Sequence, residues 1–105
     1  MSISQQYTIR ANRGRPRVWI EGRRLTSAGF HRGQLFTVEV KPSNSVMLRF
    51  RLAFAQEQAA GMRKVSGKGD RPIIDIVGTL LEQSGLKAGD DVSINYSTNV
   101  IEVAV

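Results

Sequence analysis

Arg15, Arg17, Arg23, Arg24 and Arg32 crowd into one short stretch of this chain, and Arg49 and Arg51 follow with alternate spacing. Guanidinium groups at that density suit phosphate. Each presents a planar fork of N–H donors, and each phosphate neutralised releases condensed counterions. Arg63, Lys64 and Lys68 extend the series into a Gly- and Lys-rich stretch. Trp19 lies on the same side of its strand as Arg17 and offers a face on which an unpaired base can stack. The competing reading for Trp19 is packing, over a second small core beneath an N-terminal strand. The plain alternative for the arginines is a solvated basic face that keeps the chain soluble.

Other chemistries are poorly provided for. His31 is the sole histidine and there is no cysteine, so neither a zinc site nor a thiolate or histidine nucleophile is expected. Asp75, Glu82, Asp90, Asp91 and Glu102 form no paired-carboxylate motif. Ser66-Gly67-Lys68-Gly69 has a superficial likeness to a phosphate-cradling loop. The spacing from Gly61 is wrong, however, and Gly69 stands where a Ser or Thr must hold a metal. The chain is therefore expected not to be an enzyme and to carry neither cofactor nor metal.

The elements that must position the arginines are written twice. Residues 15–33 return 56 residues later as 71–89, with seven identities: Arg15/Arg71, Pro16/Pro72, Ile20/Ile76, Gly22/Gly78, Leu25/Leu81, Gly29/Gly85 and Gly33/Gly89. Each copy reads as a strand with alternating apolar residues (Val18 and Ile20; Ile74 and Ile76), a single helical turn and two further strands. Gly29 and Gly85 are expected in the left-handed region, closing Schellman-type stops that bring Leu25 to Phe30 and Leu81 to Leu86. Phe36, Val38 and Val40 then face inward, matched by Val92, Ile94 and Tyr96. Turns are expected at Pro42-Ser43-Asn44 and at Ser97-Thr98-Asn99, the second one residue shorter. In the last strands Val46, Leu48 and Phe50 are answered by Ile101, Val103 and Val105, and the first copy's alternation continues through Leu52 and Phe54. Tyr7-Thr8-Ile9 reads as an added edge strand, residues 55–60 as a short helix and residues 61–70 as a flexible connector.

At 105 residues the chain is expected to be one domain: repeat one 15–50, a basic connector 51–70 and repeat two 71–105. Neither copy can bury its apolar face alone, so the two are expected to cover each other as a pseudo-twofold barrel. The charge is lopsided. Residues 11–50 hold eight Lys/Arg against two acids, and residues 71–105 hold two against five, within a total of +6. Such a balance favours a polyanionic partner, nucleic acid ahead of membrane.

The run from Pro16 to Gly33, with its Ala28-Gly29-Phe30 followed by Gly33, resembles the SymE-like toxin family. That family lies within the AbrB/MazE-like swapped-hairpin β-barrel group. The resemblance covers residues 15–50 and, more weakly, 71–105. The family has an aromatic residue before the leucine, where this chain has Arg24 and Leu80. The resemblance implies a mostly β, swapped-hairpin, pseudo-dimeric barrel with one-turn helices, and it implies nucleic-acid binding.

The function expected is that of a small regulator or DNA-coating factor, with DNA ahead of RNA, acting through Arg15, Arg17, Trp19, Arg23, Arg24, Arg32, Arg49, Arg51, Arg63, Lys64 and Lys68. The alternative is a protein-binding antitoxin or inhibitor module whose acidic copy meets a basic partner. A cytoplasmic monomeric pseudo-dimer or homodimer without a membrane span is expected, since no signal sequence or long apolar run is visible.

Overall fold

Alternating apolar residues, broken by glycine-marked turns, build ten strands and two short helices among the described residues. A computed structural model describes residues 3–40, 46–52 and 62–105. In chain order the elements are β1 (Ile3–Thr8), β2 (Arg10–Asn12), β3 (Arg15–Glu21), α1 (Arg23–Ser27), β4 (Leu35–Val40) and β5 (Val46–Leu52). Then come β6 (Arg63–Lys64), β7 (Ser66–Lys68), β8 (Arg71–Val77), α2 (Thr79–Ser84), β9 (Asp91–Ser97) and β10 (Val100–Ala104). The chain is mostly β, and no helix among the described residues is long and apolar enough to cross a membrane. The turn at 42–44, Phe54 and the helix expected over 55–60 lie outside the described residues.

Hydrogen bonding divides the strands into two antiparallel sheets, ordered β1-β9-β10-β5-β4-β6 and β2-β3-β8-β7. The described strands therefore do not close into the single barrel expected from the sequence. The reason lies at Ile9 and Val65, where the chain leaves one sheet for the other. Both side chains are buried, and both residues bond to loops rather than to strands. Ile9 N donates to Asp90 O and Ile9 O accepts from Gly89 N, each at 2.8 Å. Val65 N donates to Gln34 O at 2.8 Å and Val65 O accepts from Gly33 N at 2.9 Å. Residues 63–68 are thus no slack tether. They form two short strands around a core valine.

Both sheet orders read the same when the elements of one half are exchanged for those of the other. The registers follow suit at the 56-residue offset. Val18 faces Ile76 and Ile20 faces Ile74 across β3 and β8. Arg10 faces Arg17 as Ser66 faces Ile73, and Thr8 faces Asp91 as Lys64 faces Leu35. The hairpins differ. Val38 faces Phe50, whereas Ile94 faces Val103, so the second hairpin is three residues shorter rather than one. Phe50 accordingly corresponds to Val103, and Val105 is left exposed at 67% instead of joining the core.

One continuous core lies between the sheets. It contains Val18, Ile20, Leu25, Phe30, Phe36, Leu48 and Phe50 from the first half, with Ile74, Ile76, Leu81, Leu86, Ile94, Ile101 and Val103 from the second. Phe36 stands edge-on to both Phe30 and Phe50, a favoured arrangement for aromatic quadrupoles. Each helix ends as its glycine dictates. Phe30 N donates to Leu25 O at 2.8 Å and Leu86 N to Leu81 O at 3.1 Å, while Gly29 and Gly85 hold φ of 96° and 88°.

These two glycines should not tolerate substitution equally. A Cβ at Gly29 would lie 2.8 Å from Asn99 Oδ1 and 3.2 Å from Leu52 Cδ1, whereas at Gly85 it meets nothing within 4 Å. Gly85→Ala is expected to cost about 1 kcal/mol from left-handed strain alone, and Gly29→Ala about 2–3 kcal/mol. Urea unfolding of both variants measures the difference, and equal costs would refute it.

Tyr96 gives a second prediction. Burial pushes its phenol up to about 12, while its hydroxyl donates to Gln5 Oε1 at 2.6 Å. A raised folded value means that the neutral phenol is favoured by folding. This contribution is full below pH ~10 and is lost as pH rises toward ~12. Alkaline melting curves should show the loss, and Tyr96→Phe should flatten it.

Candidate nucleic-acid interface

The eleven residues singled out from the sequence separate into two groups. In the first, the side chains are engaged within the fold. Arg17 faces Val77 across the β3–β8 pair and reaches diagonally to Asp75, which stands opposite Trp19, and the two form a bidentate pair with both N–O distances 2.9 Å. The Asp75 hydrogen bond raises the Arg17 pKa. The same guanidinium lies 4.7 Å from the centre of the Trp19 ring, a cation–π stack. Trp19 is half-buried, and its backbone N–H donates to the Tyr7 hydroxyl at 2.9 Å. The indole therefore carries Arg17 on one face.

Arg15 reaches Glu82 at 2.6 Å, and that hydrogen bond holds the Glu82 carboxyl below its usual range. Arg49 lies between two acids across β5, with Glu102 at 2.9 Å and Glu39 at 3.8 Å. The lopsided charge of the sequence thus has a structural use. Arg15, Arg17 and Arg49 of the first copy are matched by Glu82, Asp75 and Glu102 of the second. Asp90 accepts from the Lys87 backbone N–H and Asp91 from the Thr8 hydroxyl, both at 2.8 Å. All five acids of the second copy are therefore engaged.

The second group remains exposed and without a carboxylate within salt-bridge distance among the described residues: Arg23, Arg24, Arg32, Arg51, Arg63, Lys64 and Lys68. The fold gathers most of them at one end. Gly33 and Gln34 bond to Val65, which sets Arg32 beside β6 and β7. Arg32 Nη1 then donates to Gly69 O at 2.9 Å, fixing the side chain along the β7–β8 turn. Lys68 faces Arg71 across that turn, and Arg23, Asp70 and Arg71 line one groove beside it. Arg32, Arg63, Lys64, Lys68, Arg71 and Arg23 thus share an end of the molecule.

Arg24 and Arg51 stand apart. Arg24 lines a groove with Ile3 and Tyr96, and Arg51 lies on the outer face of the six-stranded sheet between Thr37 and Val100. Arg71 was missed by sequence reasoning because it opens the stretch whose overall balance is acidic. The signal available was the exchange around it, with Glu82 in one copy replaced by Thr26 in the other. Among the described residues no group of three or more His, Cys, Asp or Glu is placed to hold a metal ion. Set against protein-family models, curated proteins and solved structures, the chain finds no match.

The two groups should separate in a stability assay. Arg17→Gln is expected to lower the melting temperature by about 2–4 °C, since it breaks a half-buried bidentate pair and unstacks Trp19. Arg32→Ala and Lys68→Ala should change it by less than ~1 °C. Asp75→Asn in the Arg17→Gln background should add little. Fully additive losses would show that the pair is not coupled.

Proposed function

We propose that this chain is a nucleic-acid-binding protein that engages duplex DNA through one cationic end, as a small regulator or DNA-coating factor. The observation that carries this reading is the contrast between the two ends. At one stand Arg23, Arg32, Arg63, Lys64 and Lys68. Their partners at the 56-residue offset are Thr79, Ala88, Tyr7, Thr8 and Asn12. The opposite end keeps Arg10, Arg13 and Lys87, where the cationic end has Ser66, Gly69 and His31, so the cations are in excess at one end rather than confined to it. A bias needed only for solubility has no cause to favour one of two otherwise matching ends. Clustered cations around a turn and two short edge strands present a surface onto which a phosphate backbone can settle.

The same proposal includes the architecture. The matching registers and the self-reciprocal strand orders support two copies of one unit, joined as a swapped-hairpin pseudo-dimer akin to the AbrB/MazE-like group and, more narrowly, to the SymE-like family. The rival reading, a module that offers its acidic copy to a basic protein, is weakened because the second copy's five acids already have partners within the fold.

Fluorescence anisotropy of a labelled duplex across a salt series tests the reading. If four to six phosphates are neutralised, log K should fall against log salt with a slope of about −4 to −5. Replacing Arg32, Lys64 and Lys68 together with Ala should flatten that slope by roughly 2–3. Thr8→Ala and Asn12→Ala, at the opposite end, should leave it unchanged. Affinity indifferent to salt, or equal losses from both ends, would overturn the one-sided interface.

A further inference from the structure

Two matching places in the molecule differ in a way that defines a site. In the second copy, Arg15 lies across Gly78, so closely that a Cβ there would fall 2.6 Å from its Cζ. Its guanidinium bonds to Glu82 Oε1 at 2.6 Å and approaches the Thr79 hydroxyl at 3.4 Å. At the 56-residue offset the corresponding residues are Arg71, Gly22, Thr26 and Arg23. The arginine is kept. The glutamate that neutralises it has become Thr26, and Thr79 has become a second arginine. No described atom covers Gly22 within 4 Å. Gly22, Arg23, Thr26, Asp70, Arg71 and Pro72 line an open groove of ≈ 270 Å³ there.

We propose that this groove is a seat for a tetrahedral phosphoryl group, which takes the place that the Glu82 carboxylate holds in the twin. Arg71 and Arg23 supply the charge and the N–H forks, and the Thr26 hydroxyl supplies a further donor. Two acids face the seat. Glu21 lies 3.8 Å from Arg71 and Asp70 lines the rim, both exposed. Glu21 holds Arg71 loosely compared with the 2.6 Å contact in the twin, so an incoming dianion or diester can displace it. As a seat for a backbone phosphate the groove rests on the nucleic-acid reading above. As a seat for inorganic phosphate it stands without it.

The side-chain Nε–Hε signals of the full chain, followed by ¹H–¹⁵N NMR, test this with two probes. Titration with inorganic phosphate should move the Arg23 and Arg71 signals and leave Arg15 in place. Thr26→Glu restores the twin's carboxylate, so it should suppress those shifts while the melting temperature holds or rises. It should also weaken binding of a short duplex about tenfold or more at low salt and flatten the salt slope by about 1–2. The double variant Thr79→Arg with Glu82→Thr should make Arg15 respond to phosphate in turn.

Shifts at Arg15 equal to those at Arg71 would overturn the seat. So would phosphate shifts that survive Thr26→Glu. Duplex affinity unchanged in Thr26→Glu would remove the seat from the DNA interface and leave the nucleic-acid reading intact. Phosphate shifts in a wild-type chain that binds no duplex would keep the seat as a small-anion site and end that reading.

Discussion

The antiparallel pairing of β3 with β8 is the contact on which the remaining structure depends. It sets Val18 and Ile20 opposite Ile76 and Ile74, all within 3% of full burial, at the centre of the four-stranded sheet. Each half supplies one strand of the pair, one helix and one hairpin, and none of these has a second apolar layer within its own half. The hydrophobic gain therefore arrives only when both halves meet. The second junction, β5 against β10, then brings Leu48 to Val103 and Phe50 to Ile101, completing the core from the other side.

Electrostatics follow the same seam. Arg15–Glu82, Arg17–Asp75, Arg49–Glu102 and Glu21–Arg71 all join one half to the other. Two halves that must dock within one chain gain specificity from unlike charges, because two basic surfaces would repel across that seam. The basic bias of residues 11–50 and the acidic bias of residues 71–105 thus serve assembly first. The cations left over are those that the seam does not use.

Much of this was legible in the residues. The mostly β character followed from the alternating apolar residues, and the Gly29 and Gly85 stops with their Leu25–Phe30 and Leu81–Leu86 closures lie where the glycines placed them. Other features were not legible, for physical reasons. Strands as short as β2, β6 and β7 carry no periodicity, so the correspondence of Ile9 with Val65 escaped notice although both are core residues. The hairpin offset was misjudged because Ile101, Val103 and Val105 alternate equally well in either register, and only pairing across the sheet decides between them. At the site, sequence could count arginines but could not see which ones had an acid opposite. Arg17 and Arg49 looked like ligand-binding groups and proved to be ties.

The wide separation of paired strands has a consequence for how the chain comes into being. β1 faces β9, with Ile3 against Tyr96, and β3 faces β8, with Val18 against Ile76. A ribosome therefore delivers β1 and β3 long before β9 and β8 exist. Each must wait with that edge unpaired while loop-closure entropy opposes the long-range pairing. Gln5, Gln6 and Thr8 on β1, and Arg15 and Arg17 on β3, are polar enough to keep those edges from pairing with other nascent chains. On this view the charges that later tie the halves together first act as guards against premature partners.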